Sequence, residues 1–301
     1  MSETTPVRAE LVEPSGDEAR LTRIAGMFLA TYRNPNTRRG YSIDLRSWFD
    51  WCRQWQIDPL GAVKRTHVDV WLHHLEDAGY AAGTRARKIA ATRSFYNFCV
   101  EEEILPSNPL ARIKRPKAER KPQPAYNRTQ MSRLLDAAEK AGGTDQALVM
   151  LLFVNGLRIS EVCSADVEDL GEDRWHHTLT IKGKGDKVEA VPLPPPVILA
   201  LKGALDGREE GPLLLTQFGT RMNRNAATRT LARLAKAAGV HAVTPHALRR
   251  TAIQLMIADG TSLRDAQAFA RHAEPTTTAI YDHRIRSLDE HPAYGVLRVV
   301  T

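Results

Sequence analysis

Residues 106–125, "PSNPLARIKRPKAERKPQPA", hold five prolines. Each proline fixes φ, removes a backbone donor and pushes the residue before it out of the helical region. No helix or central strand survives that density, so the segment must run extended. It interrupts a chain of 301 residues, long enough for two domains of ordinary size. The expected division is a tail over 1–16, an N-terminal helical domain over 17–105, a basic Pro-rich linker over 106–125 and a second domain over 126–301. Within the linker, "ARIKRPKAERK" carries six basic residues and one acid. It reads as an exposed positive strap, with Arg112, Lys114, Arg115 and Lys117 as candidate phosphate contacts.

Charge supports that reading. The formal net charge is +7, which suits a polyanionic partner such as nucleic acid, although many basic proteins bind nothing anionic. Cys52, Cys99 and Cys163 are scattered, odd in number and without a CxxC pair. They argue against a disulfide scaffold or a cysteine-built zinc site and fit a reducing cytoplasm. No apolar run reaches the length of a membrane span, and the N-terminus lacks a basic-then-apolar signal pattern.

Before the linker the pattern is helical throughout. In "NTRRGYSIDLRSWFDWCRQWQ", Tyr41, Leu45, Trp48, Cys52 and Trp55 recur at spacings of three and four, one apolar face, with Asn36 or Thr37 as the expected cap. A third helix is expected over about 66–78. A fourth, from Thr84 to about Glu102, has Arg85, Arg87 and Lys88 in its first turns as further DNA-contact candidates. After Tyr126, Thr129 is expected to cap a helix. "DQALVMLLFVN" reads as another helix that stops at Gly156. "HHTLTIKGKGDKVEAVPL" reads as strand, Gly-rich turn, strand. Helices are expected over about 194–205, 223–238, 245–258, 262–270 and 275–283. The fold class is therefore mainly α with one small antiparallel sheet.

Four places carry residues suited to chemistry. In "TPHALRRT", Thr244 caps and Pro245 opens a helix, which puts His246 and Arg249 on one face of its first turn. A helix N-terminus attracts anions and disfavours imidazolium, so His246 there suits a neutral base. In "NGLRISE", Arg158 sits on the elbow between two helices, with Ser160 as the expected cap of the second. "KGKGDK" makes a hairpin turn of lysines that could serve solubility or deliver one ammonium group to a phosphate. "RHAEPTTTAIYDH" contains His272 and Tyr281, and Tyr281 reads either as a half-buried packing tyrosine or as a nucleophile. Singly, each site also reads as ordinary surface. Together, two arginines, a lysine, two histidines and a tyrosine form a kit for phosphoryl transfer that needs neither metal nor cofactor. Arginines clamp the non-bridging oxygens, a histidine takes the tyrosine proton, and a lysine protonates the leaving alkoxide.

In order and local wording these sites resemble the tyrosine recombinase (phage integrase) family. The resemblance is carried by "GLRISE", "KGKGDKVEAVPL", "TPHALRRT" and "TTTAIY", and by "TRARKIAATRSFYNFCVEEEILPSNP" in the N-terminal domain. It implies Arg158, Lys184, His246, Arg249, His272 and Tyr281 as the catalytic set. It also implies a two-domain C-shaped clamp on duplex DNA of the compact Xer or Cre type, without an arm-binding domain. The partners it implies are a double-stranded recombination site, further copies of the chain in a tetramer, and accessory DNA-bending or directionality proteins, at the nucleoid. Tyr281 would form a 3′-phosphotyrosyl link, and the segment 284–301 would dock on a neighbouring protomer, the alternative being that it folds back onto its own catalytic sheet. A type IB topoisomerase shares this chemistry, and a catalytically silent DNA-binding protein could share the residues. Two positions depart from the family: Arg271 stands where a glycine usually precedes the histidine, and Ala247 stands where an acid is frequent.

Overall fold

The computed structural model describes residues 16–116, 126–183, 188–241 and 243–271. The chain divides into two compact units, Met1–Lys121 and Pro122–Thr301. Among the described residues the architecture is mainly helical with one three-stranded antiparallel sheet.

The first unit contains α1 (Gly16–Ala30), α2 (Pro35–Gln54), α3 (Arg65–Asp77) and α4 (Ala82–Glu101). Aromatic side chains fill its core. Trp48, Trp71 and Phe95 are fully buried, and Trp48 stacks on Trp51 and meets Trp71 edge-on. The Trp48 indole N–H donates to the Tyr96 hydroxyl at 3.1 Å, which donates to the Pro59 carbonyl at 2.8 Å. These bonds satisfy polar groups that burial would otherwise leave costly. Two expectations for α2 need correction. Its cap is Asn34, whose carboxamide accepts from the Asn36 and Thr37 N–H groups. Its buried face takes Trp51, while Trp55 is 57 % exposed.

Residues 106–113 also belong to this core. Leu110 and Ile113 are buried, and the Arg93 guanidinium donates to both their carbonyls. With Ile113 turned inward, Arg112, Lys114 and Arg115 stay exposed. Lys117 and the rest of the strap, 117–125, lie outside the described residues.

The second unit contains α5 (Arg128–Ala141), α6 (Gly143–Phe153), α7 (Ile159–Ser164), α8 (Pro195–Leu205), α9 (Arg224–Ala237), α10 (Pro245–Ala258) and α11 (Leu263–Ala270). Its strands are β1 (Leu170–Asp173), β2 (His176–Lys182) and β3 (Val188–Pro192), in the order β1-β2-β3. Leu179 pairs with Leu170 on one side and Val191 on the other. Leu179, Ile181 and Val191 face a core of leucines from α5, α6, α8 and α9. Asn127, not Thr129, caps α5, by a box shared with Gln130. The apolar helix α6 ends at Phe153, before Gly156. No helix among the described residues is long and apolar enough to cross a membrane.

Candidate active site

The site grows from the elbow between α6 and α7. Gly156 adopts φ +56°, a left-handed conformation that costs glycine little. A Cβ there would stand 2.6 Å from the Phe269 ring of α11, so the position also needs the missing side chain. The turn is tied to the sheet, because the Asn155 amide donates to the Pro192 carbonyl at 2.8 Å.

Arg158 follows as the N-cap residue of α7, in extended conformation. Ser160 lies within that helix, so it is not the cap. The capping group is the carboxylate of Glu161. It accepts from the Arg158 backbone N–H at 2.7 Å and from the Arg158 guanidinium at 2.7 Å. One buried carboxylate thus fixes both the main chain and the side chain of Arg158. The second Arg158 nitrogen donates to the Arg271 carbonyl at 2.9 Å.

Arg249 arrives from α10. Thr244 caps that helix, accepting from the Ala247 N–H at 3.2 Å, and Pro245 opens it. Arg249 is 3 % exposed and donates to the Gly156 carbonyl. The two arginines expected to act together are therefore brought onto one elbow from residues far apart in sequence. His246 lies one turn before Arg249, exposed at the helix N-terminus. Partial desolvation, then the positive charges of Arg250 and Arg249, hold its pKa below the ordinary imidazole value. The shift favours the neutral imidazole, the form a general base requires.

Lys184, His272 and Tyr281 lie outside the described residues. The hairpin that carries Lys184 is closed on either side by the Lys182–Val188 pair. In the first unit the expected DNA contacts divide. Arg85 is bonded to Glu76 at 2.6 Å. Arg87 is half-exposed and paired with Asp44. Lys88 is only 4 % exposed, set against Asp44 and over the Tyr80 ring. An interior ammonium of this kind is not a surface phosphate contact, which corrects its expected place on the DNA-facing surface. Sequence reasoning missed Glu161 altogether, although Arg158 and Glu161 stand three residues apart at a helix start, the spacing at which such pairs meet.

Comparison with known proteins supports the same chemistry. Residues 126–287 match the Phage integrase family, and residues 25–103 match the Phage integrase, N-terminal SAM-like domain. The chain is similar to "Tyrosine recombinase XerC" of Mycobacterium sp. (strain KMS), 32% identical over 283 residues, covering 86% of this chain and 94% of that protein. Its fold is similar to that of a lambda integrase(75-356) dimer bound to a COC' core site. The TM-score there is 0.69 at 18% identity, over 86% of this chain and 96% of that one. It is also similar to XerH site-specific recombinase bound to palindromic difH substrate, with a TM-score of 0.68 at 19% identity, over 82% of this chain and 76% of that one. With more than half its length matched by one family and a relative above 30% identity across most of it, the chain belongs to the phage integrase family of tyrosine recombinases.

Proposed function

We propose that the chain is a site-specific DNA recombinase, which cuts and rejoins duplex DNA through a 3′-phosphotyrosyl intermediate. Tyr281 attacks the scissile phosphorus as its proton passes to His246. The bond to the 5′ oxygen breaks, and Lys184 supplies the proton that leaves with the 5′-hydroxyl. Arg158 and Arg249 hold the non-bridging oxygens as charge builds on them, and His272 donates a further hydrogen bond. A 5′-hydroxyl from a partner strand reverses the step. The phosphotyrosine conserves the bond energy, so the cycle needs no cofactor.

The observation that carries this reading is the convergence of the Arg158 and Arg249 guanidiniums on one elbow, with His246 one turn before Arg249 and its pKa lowered by desolvation and by Arg250 and Arg249. In the first unit, exposed Arg112, Lys114 and Arg115 and half-exposed Arg87, together with Lys117, supply sequence-independent attraction to the DNA backbone. We divide the labour between a core-binding domain, 17–105, and a catalytic domain, 126–301, joined by 106–125. Copies of the chain assemble as a tetramer on paired sites, in the cytoplasm at the nucleoid. A nicked suicide duplex, carrying a site recovered by trapping DNA covalently on the protein, tests the reading. Wild type accumulates adduct, and Tyr281→Phe binds the same duplex but forms none. Adduct from the Phe variant at wild-type yield refutes the assignment of Tyr281.

A further inference from the structure

Arg271 ends α11 in left-handed backbone, φ +48° and ψ +46°, a conformation unfavourable to any residue with a side chain. Its side chain is only 9 % exposed, and among the described residues its buried Nε has no hydrogen-bond partner. Neither feature recommends arginine at this position on grounds of stability. Its terminal nitrogens, however, are engaged where Arg158 and Arg249 meet. One donates to the Glu161 carboxylate at 3.1 Å and to the Gly156 carbonyl at 3.3 Å. The Arg271 carbonyl accepts from Arg158 at 2.9 Å. Arg158, Glu161 and Arg271 thus close a ring of hydrogen bonds, and Gly156 joins that ring to Arg249 through its carbonyl.

We propose that Arg271 is a positioning residue for phosphate binding, which shares the Glu161 carboxylate so that Glu161 orients Arg158 without neutralising it. A carboxylate bonded to one guanidinium forms a neutral pair with little left to attract an anion. A carboxylate divided between two cannot cancel both. Two guanidiniums share one carboxylate here, so Glu161 cannot neutralise both, and the third, Arg249, joins them only through the Gly156 carbonyl. Without the Arg271 side chain, Arg158 and Glu161 form a neutral pair and the ring opens, although the carbonyl of residue 271 still accepts from Arg158. The ring also fixes the carbonyl of the residue immediately before His272.

The proposal rests on the recombinase reading, and its test separates the two. Adduct formation by wild type on the suicide duplex tests the reading alone. Arg271→Gly relieves the backbone conformation and removes the shared partner. It should slow single-turnover adduct formation about tenfold while its melting temperature stays with wild type. Arg271→Lys, which keeps a charge within reach of Glu161, should recover to within about threefold of wild type. In a Glu161→Gln background, Arg271→Gly should cost little more, since its partner charge is already gone. Titration calorimetry with inorganic orthovanadate reads the anion site without DNA, and Arg271→Gly should bind it severalfold more weakly. Wild-type cleavage and vanadate affinity in Arg271→Gly overturn the proposal. So does an equal loss in both Glu161 backgrounds accompanied by a lowered melting temperature.

Discussion

Asp44 in the first unit and Glu161 in the second are both buried carboxylates set between two cations, 0 % and 3 % exposed. Asp44 bonds Arg87 through one oxygen. Its other oxygen has no hydrogen-bond partner among the described residues, and the Lys88 ammonium stands 3.9 Å from it. Burial raises the Asp44 pKa by more than the two cations lower it, and burial lowers that of Lys88. Glu161 instead accepts a backbone N–H and two guanidiniums. Two ion clusters of similar make-up therefore differ in satisfaction. The incompletely bonded one sits in an aromatic core, and the fully bonded one supports the site. A buried ion pair stabilises only when further hydrogen bonds repay its desolvation, and on that ground we read Asp44 as a weak point and Glu161 as a fixed one.

The largest test of this contrast is Glu161→Ala. It strands two buried or half-buried guanidiniums, so we expect a loss of about 3–5 kcal/mol in urea unfolding and cleavage reduced about a hundredfold or more. Asp44→Ala should cost less, about 2–3 kcal/mol, because the desolvation of Asp44 is relieved as Lys88 is left alone. Replacing both, as Asp44→Leu with Lys88→Met, should fall within about 1 kcal/mol of wild type or above it. A double variant that unfolds more easily than Asp44→Ala would erase the distinction. Gly156→Ala should cost about 2 kcal/mol, since it combines left-handed backbone with a Cβ against Phe269. An equal loss at Gly239, also at positive φ but with no atom near its Cβ position, would show the ring contact to be unimportant.

The smallest effect is one of pH. Asp44 binds its proton more tightly folded than unfolded, because its folded pKa is raised. Its contribution is therefore fully present below the ordinary aspartate value of about 3.9 and is lost as pH rises through the folded value. Melting curves should show wild type gaining on Asp44→Asn between pH 7 and pH 4. A gap that is constant, or that widens the other way, would show the two cations to outweigh burial.

Much of this was legible in the sequence. The expected helices up to 262–270 are present, the one expected over 275–283 lies outside the described residues, and Thr244 and Ser262 cap α10 and α11 as their types and positions implied. Strand β1 was not legible, because "LGED" has no apolar alternation and becomes a strand only by pairing with β2. The caps at Asn34 and Asn127 lie two or three residues before the expected ones, since an Asx side chain caps from extended backbone, one residue before the helix begins. Lys88 looked like a surface cation because its counter-charge lies on α2, 44 positions earlier. In the site, Arg158, His246 and Arg249 were found as separate candidates. The groups that join them, Glu161, the Gly156 carbonyl and the side chain of Arg271, were not, because a carbonyl has no sequence signature and a buried ring is a three-dimensional fact.

The Gly156 carbonyl has a consequence for synthesis. Its two arginine partners lie 93 and 115 residues downstream, on α10 and at the end of α11. Contacts of such separation close late, after the loop entropy between them has been overcome. A ribosome that has released α6, α7 and the sheet has made the carbonyl but neither guanidinium. The cluster of arginines at the Gly156 carbonyl therefore cannot assemble on a chain stalled before α10. In the recombinase reading, strand cleavage is thereby withheld from a chain that has not yet made α10 and α11.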